Sequence, residues 1–255
     1  MFYFLLAPIL MYNWVLIAAS VVPAVFLMIK VYRSDRLEKE NPALLKSLVG
    51  AGVLSTFLAL LEERIGNSIL SLVVEPGTTL YNVLLYFVIV ALSEESSKYV
   101  FLKRKTWANR EFNCQYDGVV YAVFVSLGFA LWENVSYVLH YGLTSAIIRA
   151  LTAIPGHACF GVFMGVFYGI SRANAFVGKH KASKFYRTLS LIVPVLLHGA
   201  YDYIASQQEA GSGWYFVLFV VSLFALSFYL VSKTSKNDKY FSMNRLTDVE
   251  WEIIE

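Results

Sequence analysis

Ionisable side chains recur within segments of this sequence that are otherwise apolar. A charged side chain at the centre of a membrane-spanning helix costs about 2.5–3.5 kcal/mol on insertion scales, so such groups are rare without a function. Here they occur in four consecutive apolar segments. The candidate catalytic residues are Glu94, Glu95, Glu133, His157, His198 and Asp202.

The spacing of these residues predicts that they share one site. Glu94 and Lys98 are four residues apart, as are His198 and Asp202, so each pair lies on one face of its helix within side-chain reach. Glu94 and Glu95 point about 100° apart, which predicts different roles for them. Lys98 is expected to neutralise this glutamate pair.

His157 begins a stripe of glycines, with Gly161, Gly165 and Gly169 following at intervals of four residues. Such a stripe allows another helix backbone to approach closely. We therefore expect His157 to face a packed helix and not lipid.

Two kinds of hydrolytic site are compatible with these residue types. In the first, Glu94 or Glu95 is a general base, Glu133 is a second carboxylate, the histidines polarise the substrate, and Asp202 orients His198. In the second, a zinc ion activates water, with ligands from His157, His198, Glu95 and Asp202. The zinc-protease signature H-E-x-x-H is absent. A proton-coupled transporter or channel that uses the same carboxylates is the non-enzymatic alternative.

The elements that carry these residues are predicted to be membrane helices. Hydrophobic residues make up 58% of the 255 and charged residues 15%, with a mean hydropathy of +0.57, whereas soluble domains have about 25% charged residues. A spanning helix needs about 20 apolar residues. Seven runs of this kind occur: Phe4–Ile29, Leu45–Leu61, Leu80–Leu102, Val119–Leu139, Ile147–Ile170, Leu189–Ser206 and Trp214–Val231.

The distribution of basic residues predicts the orientation of these spans. Of the 21 Lys and Arg, 18 follow the first, third, fifth and seventh runs, and the opposite connections contain none. The positive-inside rule then places the N-terminus outside and the C-terminus in the cytoplasm. We expect an all-α, polytopic membrane protein with one transmembrane domain over residues 1–231, a site-bearing core over 80–206 and a polar cytoplasmic tail over 232–255.

Several other polar residues have structural interpretations at this stage. Arg149 is expected to extend to the membrane interface. Glu62 and Glu63 are interpreted as the end of a helix, and the segment around them is either one long tilted helix or a helix followed by an interfacial piece. Asp117 and Tyr121 are expected to fix the start of the fourth span.

The order of these motifs resembles the PrsW family of intramembrane proteases. The likeness lies in Glu94-Glu95-x-x-Lys98, in Phe129-x-x-x-Glu133-Asn134, and in His198-x-x-x-Asp202, each on a separate span. The stretch from Asp117 to Asn134, and His157 before its glycines, resemble the family too. Phe129 and Asn134, together with Lys98, are thereby candidate supporting residues.

The resemblance implies a peptide hydrolase of a prokaryotic inner membrane. The related CAAX prenyl proteases and bacteriocin-processing proteins carry Glu-Glu-x-x-x-Arg, Phe-x-x-x-His and His-x-x-x-Asn. Here Lys98 comes one residue early, Glu133 replaces the histidine and Asp202 replaces the asparagine, so either His157 takes the histidine's part or a metal is bound. The resemblance implies a membrane-anchored protein substrate. PrsW proteins are associated with site-1 cleavage of an anti-sigma factor in its extracytoplasmic part, so a protein of that kind is a candidate substrate. We expect the bilayer as a partner and no nucleic acid.

Overall fold

The structure, a computed structural model, describes residues 2–207 and 212–241. Their regular secondary structure is helical, apart from an isolated bridge between Cys114 and Tyr240. A π-helical segment, Leu85–Val90, joins α3 to α4 without a break. The helices are α1 (Phe2–Ser34), α2 (Pro42–Val73), α3 (Thr79–Leu84), α4 (Ala91–Thr106), α5 (Gln115–Leu151), α6 (Ala153–Phe176), α7 (His180–Ala205) and α8 (Ser212–Lys236).

The prediction of an all-helical, multi-pass membrane protein is confirmed. In the described part of the chain, five segments are long and apolar enough to cross a membrane. One of them contains both α5 and α6. The run from α3 to α4 is divided by the π-helical segment into helices of 6 and 16 residues. The five segments are Trp14–Ser34, Pro42–Val73, Gln115–Phe176, His180–Ala205 and Gly213–Lys236.

α2 passes through Glu62 and Glu63 without interruption, so the interpretation of these residues as a helix end is wrong. Asn41 caps the helix, since its side chain accepts a hydrogen bond from the Ala43 N–H, and no proline or glycine pair interrupts the sequence before Pro76. Glu62 is tolerated inside the helix because it accepts a hydrogen bond from Ser97 at 3.3 Å. Of the two alternatives for this segment, the single long helix is correct.

The connection between the fourth and fifth predicted spans is a double break. Gly142 has a positive φ of 76°, which turns the chain within the residues assigned to α5, and Thr152 separates α5 from α6. The connection predicted between the fourth run, which ends at Leu139, and the fifth run, which begins at Ile147, is therefore a turn at Gly142. The predicted fifth run begins at Ile147, six residues before α6 begins.

α5 is the central helix of the bundle, and every residue from Tyr116 to Ala130 is buried. Its neighbours approach its backbone at glycines. A Cβ atom built on Gly165 of α6 would lie 2.5 Å from the Gly118 carbonyl oxygen, and one on Gly52 of α2 would lie 2.1 Å from the Val125 carbonyl oxygen. The expectation that the glycine stripe after His157 packs on another helix is confirmed, and that helix is α5.

The π-helical segment is the remaining element that positions the site. It ends four residues before Glu94, and it packs on α7, where Gly199 leaves space for the Phe87 ring. Glu94 and Glu95 are both buried, at 7% and 0% exposure. α8 continues to Lys236, five residues into the predicted polar tail, and residues 242–255 of that tail lie outside the described residues.

Candidate active site

Side chains from three helices contact the ammonium group of Lys98, which is fully buried on α4. Its Nζ lies 3.1 Å from Glu94 Oε2, 2.7 Å from Glu95 Oε1 and 3.1 Å from His157 Nδ1. It also lies 4.0 Å above the centre of the Phe129 ring, which adds a cation–π attraction. One cation thus offsets two adjacent carboxylates, as the sequence predicted.

His157, on α6, links Lys98 to a carboxylate on α5. Its Nε2 lies 2.8 Å from Glu133 Oε2. An ammonium group can only donate hydrogen bonds, so His157 Nδ1 must accept from Lys98. Nε2 then carries the proton and donates to Glu133, which makes His157 a neutral imidazole of fixed tautomer.

His198, on α7, lies between two carboxylates. Its Nδ1 is 3.0 Å from Glu95 Oε1, and its Nε2 is 3.3 Å from Asp202 Oδ2. The Phe160 ring stacks on the imidazole with a centroid distance of 4.7 Å and an interplanar angle of 18°. Two carboxylate partners favour the imidazolium form, in which both ring nitrogens donate.

Arg149 does not extend to the membrane interface, so the earlier interpretation of this residue is wrong. Its Nη2 lies 2.8 Å from Glu133 Oε1, and its Nε donates to Asn134 Oδ1 at 2.6 Å. The guanidinium also lies 3.9 Å from the centre of the Tyr137 ring. The double break between α5 and α6 brings Arg149 back along α5 to its partner Glu133.

A cavity of about 380 Å³ opens next to this end of the network. Its lining includes Glu133 and Arg149 on one side and Tyr201 and Asp202 on the other. The side chains of Glu133 and Asp202 are 19% and 23% exposed, whereas those of Glu95 and Lys98 are 0% exposed. The cavity therefore reaches the two outer ends of the polar network. The centre of the network, at Glu95 and Lys98, is enclosed by protein.

The structure brings all six sequence-predicted catalytic residues into one connected network. Phe129 contacts the network through Lys98, and Asn134 contacts it through Arg149. From one end to the other the network runs Arg149, Glu133, His157, Lys98, Glu95 with Glu94, His198 and Asp202.

Glu63, on α2, is a site residue that the sequence interpretation missed. Its carboxylate interacts electrostatically with Glu94, Glu133, His198 and Lys98. The signal was present, because Glu62-Glu63 is a pair of carboxylates within an apolar run, as Glu94-Glu95 is. The charged run Glu62-Glu63-Arg64 interrupts the apolar segment, and the interpretation as a helix end depends on that interruption.

The donor set at the centre of the network fits a zinc ion. One ligand atom from each of Glu94, Glu95 and His157 lies within 4.8 Å of the other two, and carboxylate and imidazole are ordinary zinc ligands. Glu95 Oε2 is buried without a hydrogen-bond partner. Lys98 contacts the same three side chains, so its ammonium group and a metal ion would compete for them.

Fold and site together define a multi-pass helical membrane protein with a connected network of carboxylates, imidazoles and cations buried between its helices. The sequence comparisons agree on its family. The PrsW-protease model, described as PrsW family intramembrane metalloprotease, matches residues 40–227.

Curated relatives named Protease PrsW match most of the chain. The protein of Bacillus subtilis (strain 168) is 31% identical over 215 residues, covering 82% of this chain and 89% of the relative. The protein of Geobacillus kaustophilus (strain HTA426) is 33% identical over 208 residues, covering 82% and 87%. The protein of Clostridioides difficile (strain 630) is 29% identical over 226 residues, covering 86% and 91%. No solved structure matches the chain significantly.

The chain belongs to the PrsW family. It is an intramembrane protease of a bacterial membrane, and its substrate is a protein in that membrane. The predicted resemblance is confirmed, and the alternative of a proton-coupled transporter is not favoured.

Proposed function

We propose that this protease cuts the extracytoplasmic part of a membrane-anchored protein, with Glu94 as the general base that activates water. The single observation that carries the proposal is the network of eight connected ionisable side chains, centred on Lys98 and Glu95, with a cavity at its outer ends. A peptide bond entering that cavity would meet the carboxylates of Glu133 and Asp202 and the guanidinium of Arg149.

The distribution of Lys and Arg among the connections indicates on which side of the membrane the substrate is cut. The chain crosses the membrane seven times in this proposal, with α3, the π-helical segment and α4 forming one span. The connection around Gln207, which lines the cavity, belongs to the set without Lys or Arg. The positive-inside rule places that connection, and hence the cavity, on the outer side.

Glu94 is a better base than Glu95 because the same two cationic side chains, Lys98 and His198, lie farther from it. Glu95 Oε1 contacts both Lys98 and His198, at 2.7 and 3.0 Å, so its negative charge is strongly stabilised. Glu94 contacts Lys98 at 3.1 Å and lies 3.9 Å from His198. A carboxylate with weaker partners accepts a proton more readily.

The remaining residues position and balance this pair. Lys98 and His198 supply fixed positive charge next to the carboxylates, which stabilises the oxyanion that forms when water attacks a peptide carbonyl. Asp202 orients His198 through Nε2. Glu133 holds His157 in the tautomer that can accept from Lys98, and Arg149 fixes Glu133.

The hydrolytic mechanism has a zinc-dependent form and a metal-free form, and an experiment distinguishes them. A zinc ion, when bound, supplies Lewis-acid activation of water, and Glu94, Glu95 and His157 are the residues that would hold it, with His198 and Asp202 beside them. Metal analysis of active purified protein separates the two schemes. Stoichiometric zinc that is lost in Glu95→Gln supports the metal-dependent scheme, and full activity without zinc supports the metal-free one.

The substrate we propose is a single-span anti-sigma factor cut at site 1. The outward-facing cavity suits the extracytoplasmic stem of such a protein, and residues 1–231 form the catalytic membrane domain, with 232–255 as a cytoplasmic tail. Candidate anti-sigma factors should be co-expressed with the wild type, with Glu94→Gln and with Glu75→Gln, a control in the exposed loop after α2.

The wild type and Glu75→Gln should shorten the substrate, and mass analysis should place the cut outside the membrane on the outer face. Glu94→Gln should leave the substrate intact. A cut on the cytoplasmic side, or equal cleavage by Glu94→Gln, would contradict the proposal.

A further inference from the structure

A second group of buried acidic side chains lies far from the catalytic network. Asp35 follows α1 directly, Glu40 lies in the loop before α2, and Asp117 is in the first turn of α5. One carboxylate oxygen from each lies within 4.8 Å of those of the other two. Asp117 precedes Glu133 by sixteen residues on α5, a distance of about 24 Å along the helix axis. We refer to Asp35, Glu40 and Asp117 as the acidic triad.

Each member of the acidic triad is buried and has one oxygen without a partner. The exposed fractions are 4% for Asp35, 3% for Glu40 and 0% for Asp117. Asp35 Oδ2, Glu40 Oε1 and Asp117 Oδ1 are enclosed by protein, and no donor within the described residues reaches them. Buried carboxylate oxygens without a donor are strongly unfavourable, and this one cluster contains three of them.

The protein holds the opposite oxygens of two of these carboxylates in place. Tyr121 donates to Glu40 Oε2 at 2.6 Å. The backbone N–H groups of Asn113 and Cys114 donate to Asp117 Oδ2 at 2.9 and 2.7 Å. Asp117 thus fixes the start of α5, as the sequence predicted, while its other oxygen remains available to a ligand.

In the part of the chain that the structure describes, no basic side chain forms an ion pair with the acidic triad. Within residues 2–207 and 212–241, none of the salt bridges includes a member of it. Lys39 attracts the Asp35 carboxylate electrostatically, but its ammonium group donates its hydrogen bonds to backbone carbonyls at the end of α1. Burial raises the pKa of Glu40 to about 7, and repulsion from Asp35 and Glu111 acts in the same direction.

We propose that the acidic triad binds a hard divalent cation, Mg²⁺ or Ca²⁺. Its donors are exclusively carboxylate oxygens. Mg²⁺ and Ca²⁺ prefer oxygen ligands of this kind, whereas softer transition metals favour nitrogen and sulfur ligands. A bound ion would join the loop between α1 and α2 to the start of α5, and it would supply the missing partner of all three free oxygens. A proton shared by Glu40 and Asp117, which lie within hydrogen-bonding distance of each other, is the competing occupant.

The test is the thermal stability of the purified full chain in neutral detergent. The protein is stripped with EDTA, and its Tm is then measured without metal and with MgCl₂, CaCl₂ or MnCl₂. A ligand at a hundredfold excess over its Kd should raise the Tm by about 5–10 °C for a chain of this size. The ion that gives the larger shift identifies the preferred occupant, and Mn²⁺ bound per chain is counted by electron paramagnetic resonance.

Four variants locate the effect. Asp35→Asn and Asp117→Asn should abolish the metal-dependent shift of the Tm. Asp117 also caps α5, so Asp117→Asn can fail to fold, and Asp35→Asn then still tests the site. Glu75→Gln, a distant exposed carboxylate, and Glu95→Gln, in the catalytic network, should keep it.

A wild type whose Tm no divalent ion changes would overturn the proposal and leave the shared proton as the occupant. A shift that persists in Asp35→Asn, or that disappears in Glu95→Gln, would overturn it as well, because the ion would then bind elsewhere.

Discussion

Gly165 lies where α6 touches the backbone of α5, and Gly165→Ala tests whether that contact keeps the catalytic network assembled. An added Cβ atom would lie 2.5 Å from both the Gly118 carbonyl oxygen and Val119 Cα, whereas ordinary contacts begin at 3.4 Å. Backbone atoms cannot rotate away as a side chain can, so the helices must separate locally by about 1 Å. Overpacking of this kind costs about 1–3 kcal/mol.

The same separation would disturb the site. His157 of α6 and Glu133 of α5 are joined at 2.8 Å, and an added 1 Å takes this pair beyond the range of a normal hydrogen bond. Misplacement of catalytic groups by about 1 Å costs roughly 100-fold in rate. Gly165→Ala should therefore lose both stability and activity.

Gly50→Ala is the matched control, because a Cβ atom there meets nothing within 4 Å. Both substitutions gain the same helix propensity of about 0.5–1 kcal/mol, so their difference isolates the packing cost. Thermal unfolding in detergent should give a Tm for Gly165→Ala that is lower by about 2–4 °C per kcal/mol, and cleavage of a model substrate should fall. If Gly165→Ala matches Gly50→Ala in Tm and in rate, the close contact does not hold the site.

Substitutions of three further residues, Arg149, Lys98 and Asp202, probe the charges of the network. Arg149→Met should destabilise the protein by about 1–3 kcal/mol, since it leaves Glu133 Oε1 without a charged partner. Arg149→Lys should recover part of this loss of stability, measured by thermal unfolding. Equal losses of stability in the two variants would exclude a role for the charge. Lys98→Met should cost about 3–5 kcal/mol because two buried carboxylates lose their cation, and Lys98→Met with Glu95→Gln should be more stable than Lys98→Met alone. Asp202→Asn should lower kcat by about 10²-fold or more, with a small change in KM, because His198 loses the partner that orients it. A change confined to KM would instead indicate that Asp202 acts in substrate binding.

Much of the candidate site was predictable because it departs from the composition of its surroundings. A carboxylate or imidazole inside an apolar run is costly, so Glu133 and His157 stood out without any structure. Helical spacing then paired Glu94 with Lys98 and His198 with Asp202, and both pairs are in contact. These inferences depend on local geometry, which the sequence specifies well.

Contacts between distant segments were not predictable in the same way. The position of Arg149 near the outer end of its predicted span favours the membrane interface, whereas its partner Glu133 lies sixteen positions earlier, beyond the turn at Gly142. Glu63 was missed because its proximity to Glu94 depends on how α2 packs on α4. The partner of Tyr121 is Glu40, from another segment of the chain, so the acidic triad had no local signature.

The most direct measurement is the rate at which purified protein in proteoliposomes cleaves a single-span substrate, compared between Glu94→Gln, Glu95→Gln and Glu75→Gln. Glu94→Gln should be inactive, Glu95→Gln should be severely impaired because Lys98 and His198 lose their shared partner, and Glu75→Gln should match the wild type. Cleavage at the wild-type rate by both Glu94→Gln and Glu95→Gln would show that hydrolysis takes place elsewhere in the molecule.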